Sequence, residues 1–198
     1  MEVKPLKYKS LPGLSERQLA EHHDVLYTGY VKKTDEIREK TKGVDLETAN
    51  ATYSDLRELK LEETFALNGV KLHEGYFDAL GGNGVPNGEI LELIKQDFGS
   101  FDAWKAEFEA LGLCARGWVI LAYDWDEGKL RNFVCDVHNQ GGVWGCSPIL
   151  VLDMYEHAYF MDYGAAKKKY IEAFFKNIDW GNANDQIKRH KILGHRKK

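Results

Sequence analysis

Seven histidines occur in the chain, at positions 22, 23, 73, 138, 157, 190 and 195, and their neighbourhoods differ. His22 falls on the apolar stripe of one helical pattern and His73 on that of another, so an antiparallel pair of helices would bring both imidazoles to one point. Taken singly, each is the kind of histidine that a core buries against a hydrogen-bond partner. The third element is Asp153-Met-Tyr-Glu-His157, where a strand end meets a helix and a carboxylate and an imidazole four residues apart project from one face. By itself this pair is a common structural device, an acid at a helix start answering a histidine one turn later. Three imidazoles and one carboxylate that converge would make a mononuclear transition-metal site. Nitrogen-rich ligation suits iron, manganese, copper or zinc, while one hard oxygen donor and no thiolate disfavour copper(I). Neutral imidazoles with a single carboxylate leave a divalent or trivalent ion net positive, so the centre would attract a small anion.

The elements that must position these residues can be read from the hydrophobic periodicity. Ser15 with Gln18 makes a capping box, and Leu19, His22, Leu26 and Tyr30 follow at three- and four-residue spacing, which predicts one long amphipathic helix to about Lys40. A second helix is predicted from Ser54 to Leu80, with Leu56, Leu59, Ala66, Val70, His73 and Phe77 inward and Gly81 as its stop. The polar stretch from Lys42 to Asn50 joins them into an antiparallel hairpin. The glycine-rich GGNGVPNG at 81–88 marks a change of character. Beyond it, Ile90, Leu93 and Ile94, then Phe101, Trp104, Phe108 and Leu111, mark two shorter helices, the second capped by Ser100. GWVILAYD and KLRNFVCD flank the turn WDEG and predict a β-hairpin, to which PILVLD from Pro148 adds a third strand. YEHAYF and AAKKKYIEAFFKNI return to helix, and the basic tail IKRHKILGHRKK is expected to fray. The expected fold is α+β: an N-terminal antiparallel helical hairpin domain, 1–84, and a C-terminal mixed α/β domain, 85–198, with a small three-stranded antiparallel sheet.

Composition narrows the function classes. Lys and Arg total 27 against 31 Asp and Glu, a net charge of −4, so no global positive excess exists to collect phosphates and neither a nucleic acid nor an anionic membrane is an expected partner. The longest wholly apolar run, Trp118–Tyr123, is too short to span a bilayer, and MEVKPLKYKS contains no apolar signal region. A soluble, cytoplasmic protein is expected. Cys114, Cys135 and Cys146 form no CxxC pair and read as reduced core or half-buried thiols.

The string DMYEHAYFMDY resembles the iron/manganese superoxide dismutase signature D-x-W-E-H-A-Y-Y, and the resemblance runs from about residue 14 to Trp180. Further stretches agree in order: His22 with Tyr30 eight residues on, LHEGYF around His73, GWVILAYD around Trp118, and NQ at 139–140. The D-x-x-E-H-A-Y part is highly specific and the first-helix match looser. The resemblance implies that His22, His73, Asp153 and His157 hold one manganese or iron ion, with solvent as a fifth ligand, between two domains. It implies a ping-pong redox cycle in which one superoxide leaves as oxygen and a second, with two protons, as hydrogen peroxide. It also gives Gln140 the role of the glutamine that hydrogen-bonds the metal-bound solvent, Tyr30 that of the funnel tyrosine bonded to this glutamine, and Trp118 that of a pocket wall. Some members use a histidine in place of the glutamine, which makes His138 a second candidate. Glu156, by the same resemblance, reaches across the two-fold contact of a homodimer, or of a homotetramer, to His157 of the partner subunit.

The chain departs from the family pattern at several positions. Leu26 and Tyr27 stand where a His-His pair is usual, and Phe160 replaces the tyrosine that bonds the first of them, so both halves of that bond are replaced together. Phe77, Ile120 and Tyr155 occupy usual tryptophan positions, which predicts pocket walls less bulky or, at Tyr155, more polar. His23 has no family role and is expected to face solvent. Iron-preferring members carry the solvent-bonding glutamine four residues before the second histidine ligand; here that position is Gly69, while the loop after the hairpin offers Gln140, so manganese is favoured over iron. The alternative function is a metal-stabilised dimeric binding protein or scaffold with weak or no dismutase activity.

Overall fold

The computed structural model describes residues 1–196. The chain is α+β, a helical N-terminal region followed by a part that holds a three-stranded antiparallel sheet. Ser15 caps the first helix by accepting a hydrogen bond from the Gln18 amide. The predicted single helix is continuous but not uniform: α1 (Glu16–Ala20) passes through a π-helical segment (Glu21–Tyr27) into α2 (Thr28–Lys42). A π-type turn inserts an extra residue per turn and rotates the rest of the helix about its axis. Consequently His22 and His23, adjacent in sequence, are both buried along with Tyr27. α3 (Asp55–Asp78) runs back against α2, capped by Ser54 on the Arg57 amide, and completes the hairpin.

α4 (Gly88–Phe98) and α5 (Phe101–Cys114) precede the sheet, formed by β1 (Trp118–Asp124), β2 (Lys129–Cys135) and β3 (Cys146–Asp153) in the order β2-β1-β3. β1 is the central strand, and its apolar run from Trp118 to Tyr123 is buried throughout, which is why it lacks the alternation of a half-exposed strand. The third strand begins at Cys146, two residues before the predicted start, and its register on β1 shifts between Leu121 and Ala122, where β3 carries one extra residue. α3 lies on β3 so closely that a Cβ at Gly75 would stand 2.9 Å from Val151 Cγ2.

The predicted YEHAYF helix is instead a 3-10 turn (Glu156–Ala158) and a single turn α6 (Phe160–Tyr163), because Asp153 Oδ1 accepts the Tyr155 amide and winds the chain tightly at the strand end. α7 (Lys167–Lys176), α8 (Trp180–Arg189) and α9 (Ile192–His195) follow. The tail does not fray over its described length. Ile192 is fully buried, His195 Nδ1 lies 3.2 Å from the Tyr123 hydroxyl, and Arg196 pairs with Asp97. Lys197 and Lys198 lie outside the described residues. Cys114 is exposed, against the expectation of a core or half-buried thiol, since it ends α5 on its outer face; Cys135 is buried, Cys146 is half-buried, and all three are free. Among the described residues no helix is long and apolar enough to cross a membrane.

Candidate metal centre

Antiparallel pairing places Asp153, the last residue of β3, opposite Trp118, the first of β1, which in turn lies opposite Cys135, the last of β2. One end of the sheet thus gathers the carboxylate, the indole and the loop that leaves β2. α3 crosses this end with His73, and the π-helical segment brings His22. Asp153 Oδ2 lies 3.0 Å from His22 Nε2, 3.2 Å from His157 Nε2 and 3.6 Å from His73 Nε2. One donor atom from each of the four residues falls within 4.8 Å of all the others, the only such cluster of three or more metal-ligating groups among the described residues.

The surrounding bonds leave the donor atoms of these side chains free to face inward. His73 Nδ1 donates to the Gly69 carbonyl at 2.6 Å, which places its lone pair on Nε2, a buried atom with no hydrogen-bond partner among the described residues. Asp153 uses Oδ1 on the Tyr155 amide at 2.9 Å, and its carbonyl accepts from the Tyr170 hydroxyl at 2.7 Å. Gln18 Nε2 donates to the His157 carbonyl at 2.5 Å while its Oε1 accepts the Met161 amide, tying the 3-10 turn to the first helix. A buried carboxylate surrounded by three imidazoles with an orphaned nitrogen is a costly arrangement without a cation at its centre and a favourable one with it. The donor set therefore fits a single transition-metal ion.

The electrostatics point the same way. Burial holds His73 down to about 3, aided by the neighbouring His22, and burial likewise lowers His22 against the opposing pull of Asp153. Burial would raise Asp153, but the charges and hydrogen bonds of His157 and His22 outweigh it and hold the carboxyl well below its usual range. Neutral His22 and His73 and an ionised Asp153 are in the protonation states that a metal requires of them.

Around the cluster, Tyr30 stacks on His73 with ring centres 5.4 Å apart, Phe77 packs 5.0 Å from His22, and Trp118 stands edge-on to His73 at 5.0 Å. Tyr155 stacks on His157 at 5.1 Å, its hydroxyl buried and without a partner among the described residues. Ile120 is not a wall of the cluster but part of the lining of a neighbouring 450 Å³ cavity, with Phe133, Cys135 and His138. Only His157 among the four reaches solvent, with a quarter of its side chain exposed.

Two expectations are corrected. Gln140 is exposed and outside the cluster, because the loop after β2 folds into a tight turn closed by the Gln140 amide on the Val137 carbonyl at 3.4 Å. His138, at the corner of that turn, is buried instead. Its Nδ1 accepts the Trp118 indole N–H at 3.0 Å and its Nε2 meets the Tyr30 hydroxyl at 2.8 Å. His23 does not face solvent: its Nδ1 bonds Asp24 Oδ1 at 2.7 Å and its Nε2 the Lys4 carbonyl at 2.8 Å. The Lys4 amide donates to the Tyr27 hydroxyl, which donates to Glu74, so the N-terminal segment is strapped across the hairpin behind His22. The π-helical turn that buries His23 leaves no mark in a 3.6-residue periodicity.

Comparison with known proteins agrees with this geometry. Residues 86–186 match the family described as iron/manganese superoxide dismutases, C-terminal domain. Over 189 residues, the chain is 42% identical to superoxide dismutase [Fe] of Aquifex aeolicus, with 93% of this chain and 89% of the relative covered. It is 41% identical over 187 residues to superoxide dismutase [Fe] of Cupriavidus metallidurans, covering 92% and 93% of the two chains. Superoxide dismutase [Mn] of Haloarcula marismortui is 38% identical over 197 residues, covering 93% and 91%. With most of its length shared with these relatives and a four-donor cluster at the foot of its sheet, the chain belongs to the iron/manganese superoxide dismutase family.

Proposed function

We propose that the protein is a superoxide dismutase holding one manganese or iron ion through His22, His73, Asp153 and His157. The convergence of those four side chains on one point carries the reading. When bound, the ion supplies one-electron redox chemistry, taking an electron from one superoxide and returning one to a second, so that two superoxides and two protons become oxygen and hydrogen peroxide. The chain's own residues do the rest. Asp153 supplies the one negative charge among the four ligand groups, leaving a net positive centre toward which a small anion is drawn. Tyr30, half-buried and stacked on His73, offers a hydroxyl beside the cluster; burial raises its pKa and keeps it protonated. Trp118 holds His138, and the apolar edges of Phe77 and Trp118 keep water from the ligand side chains.

The support that Gln140 lent to manganese does not hold, since His138 takes the place beside Tyr30. Manganese remains our preferred ion on the family pattern alone: position 69 is a glycine, and the polar group beside Tyr30 comes from the loop after β2. We further infer two domains, 1–84 and 85–198, a cytoplasmic location, and a homodimer or homotetramer with Glu156 in its two-fold contact. Exposed Glu156, beside half-exposed Phe160, supports that contact. The test is to load metal-free protein separately with manganese and with iron, then measure bound metal and superoxide consumption on the same preparation. Turnover per bound ion with either metal is expected, higher with manganese. Full occupancy without turnover for both would favour a metal-stabilised scaffold and overturn the enzyme reading.

A further inference from the structure

Trp118, His138 and Tyr30 form a chain whose hydrogen atoms can be assigned one by one. The Trp118 indole nitrogen lies 3.0 Å from His138 Nδ1, and an indole N–H can only donate. Nδ1 is therefore the bare, accepting nitrogen; a hydrogen on it, in the other tautomer or in an imidazolium, would face the indole hydrogen head-on. The one remaining hydrogen sits on Nε2, 2.8 Å from the Tyr30 hydroxyl. Nε2 donates and the phenol oxygen accepts, so the phenol's own hydrogen is not used in this contact.

We propose that Trp118 fixes His138 as the Nε2–H tautomer and thereby frees the Tyr30 hydroxyl hydrogen for the metal cluster. Tyr30 is then the only hydrogen-bond donor of the three available to a small anion at the centre, and His138 is a positioning residue acting through it. An amide side chain beside Tyr30 would carry two N–H hydrogens, one for the phenol and one for the centre. An imidazole held by Trp118 has one and commits it to the phenol. The sequence of donors, indole to imidazole to phenol to anion, runs one way only, and its direction is set at the indole. The identity of the anion rests on the dismutase reading; the direction of the hydrogen bonds does not.

The test reads the tautomer directly, by nitrogen-15 NMR of histidine-labelled protein loaded with a closed-shell ion, zinc or gallium(III), which leaves the resonances sharp. The wild-type His138 is expected to carry its hydrogen on Nε2. In Trp118→Phe the restraint is gone, and a mixture or the Nδ1–H form is expected. Azide binding to the iron-loaded protein is the second readout: a hydrogen bond to a charged group corresponds to about a tenfold or larger affinity. Trp118→Phe and Tyr30→Phe should each weaken azide by that factor, and the double variant should weaken it no further. Should Trp118→Phe fail to fold, the wild-type NMR result and Tyr30→Phe still decide. An Nδ1–H ring in protein that consumes superoxide overturns this inference and leaves the function standing. An Nε2–H ring in metal-loaded protein without turnover does the reverse. Azide affinity unchanged in Tyr30→Phe refutes the donor role.

Discussion

One methyl group added at position 69 would be felt at the metal centre more than in the stability of the fold. Gly69 lies on α3 one turn before His73, and a Cβ there would stand 2.9 Å from Tyr30 Cδ1 and 3.0 Å from its Cγ. Optimal carbon contacts lie at about 3.5–4.0 Å, so Gly69→Ala must displace the ring by roughly half an ångström or more. Two contributions to stability oppose each other. Exchanging glycine for alanine inside a helix stabilises by about 1 kcal/mol through the unfolded chain and the helix backbone. Overfilling a packed site costs about 1–3 kcal/mol. The net expectation runs from neutral to about 2 kcal/mol of destabilisation, a fall in Tm of at most about 8 °C for a chain of this size. Geometry suffers more. The Tyr30 hydroxyl is held by His138 at 2.8 Å while its ring lies on His73, so a ring pushed off α3 stretches that bond toward and beyond the useful range. Thermal unfolding and azide titration of the iron-loaded variant measure the two effects separately, with about a tenfold loss of affinity expected. A variant stabilised by about 1 kcal/mol with unchanged azide affinity would mean that the ring yields freely, and the inference from close packing would be refuted.

Three further outcomes are expected. Asp153→Asn, nearly isosteric, should empty the site, and elemental analysis should find less than stoichiometric metal together with loss of the Tm increase that loading gives wild-type protein. In metal-free protein, His73 and His138 sit at about 3 and about 4 when folded and near 6.5 when unfolded, so the unfolded state binds more protons between these limits. Stability should fall as pH drops from 6.5 toward 4, with a slope of up to about 1.4 kcal/mol per pH unit per histidine, readable by urea unfolding at a series of pH values. The depressed Asp153 adds to the loss only below the ordinary carboxylate range. Glu156→Ala should weaken self-association in sedimentation experiments and lower activity roughly 10–100-fold; wild-type protein that is monomeric at micromolar concentration and fully active would contradict the assigned contact.

Where a residue's neighbours impose a period, the sequence was explicit. His22 and His73 lie on apolar stripes, and Asp153 with His157 on a strand end with a four-residue spacing, so their convergence follows from the hairpin and the sheet. Serine caps at 15 and 100 fall where the side-chain pattern puts them, and Ser54, read only as the start of the second helix, caps it. The choice between His138 and Gln140 was not legible, because no period governs a loop. It is decided by Gly141, whose φ of +94° and approach of 2.4 Å between a virtual Cβ and the Val134 carbonyl turn the chain back onto β2 with Gln140 outside. His23 was misplaced for a different reason: an extra residue in one helical turn changes which side faces inward, and residue identity alone carries no sign of it. The tail was misread from its charge, whereas Ile192 and the ion pair of Arg196 with Asp97 dock it.

The distance along the chain between the ligands has a consequence for how the protein is made. His22 and Asp153 are 131 residues apart, and the last ligand comes later still. A nascent chain that has emerged only through β2 carries the donors His22 and His73 but neither Asp153 nor His157. Chains emerge at about 5–20 residues per second, so for several seconds the first half of the site exists without the second. The four-donor site is thus complete only once β3 has docked on α3 and His157 has followed it, so an ion is held by contacts that form late in synthesis.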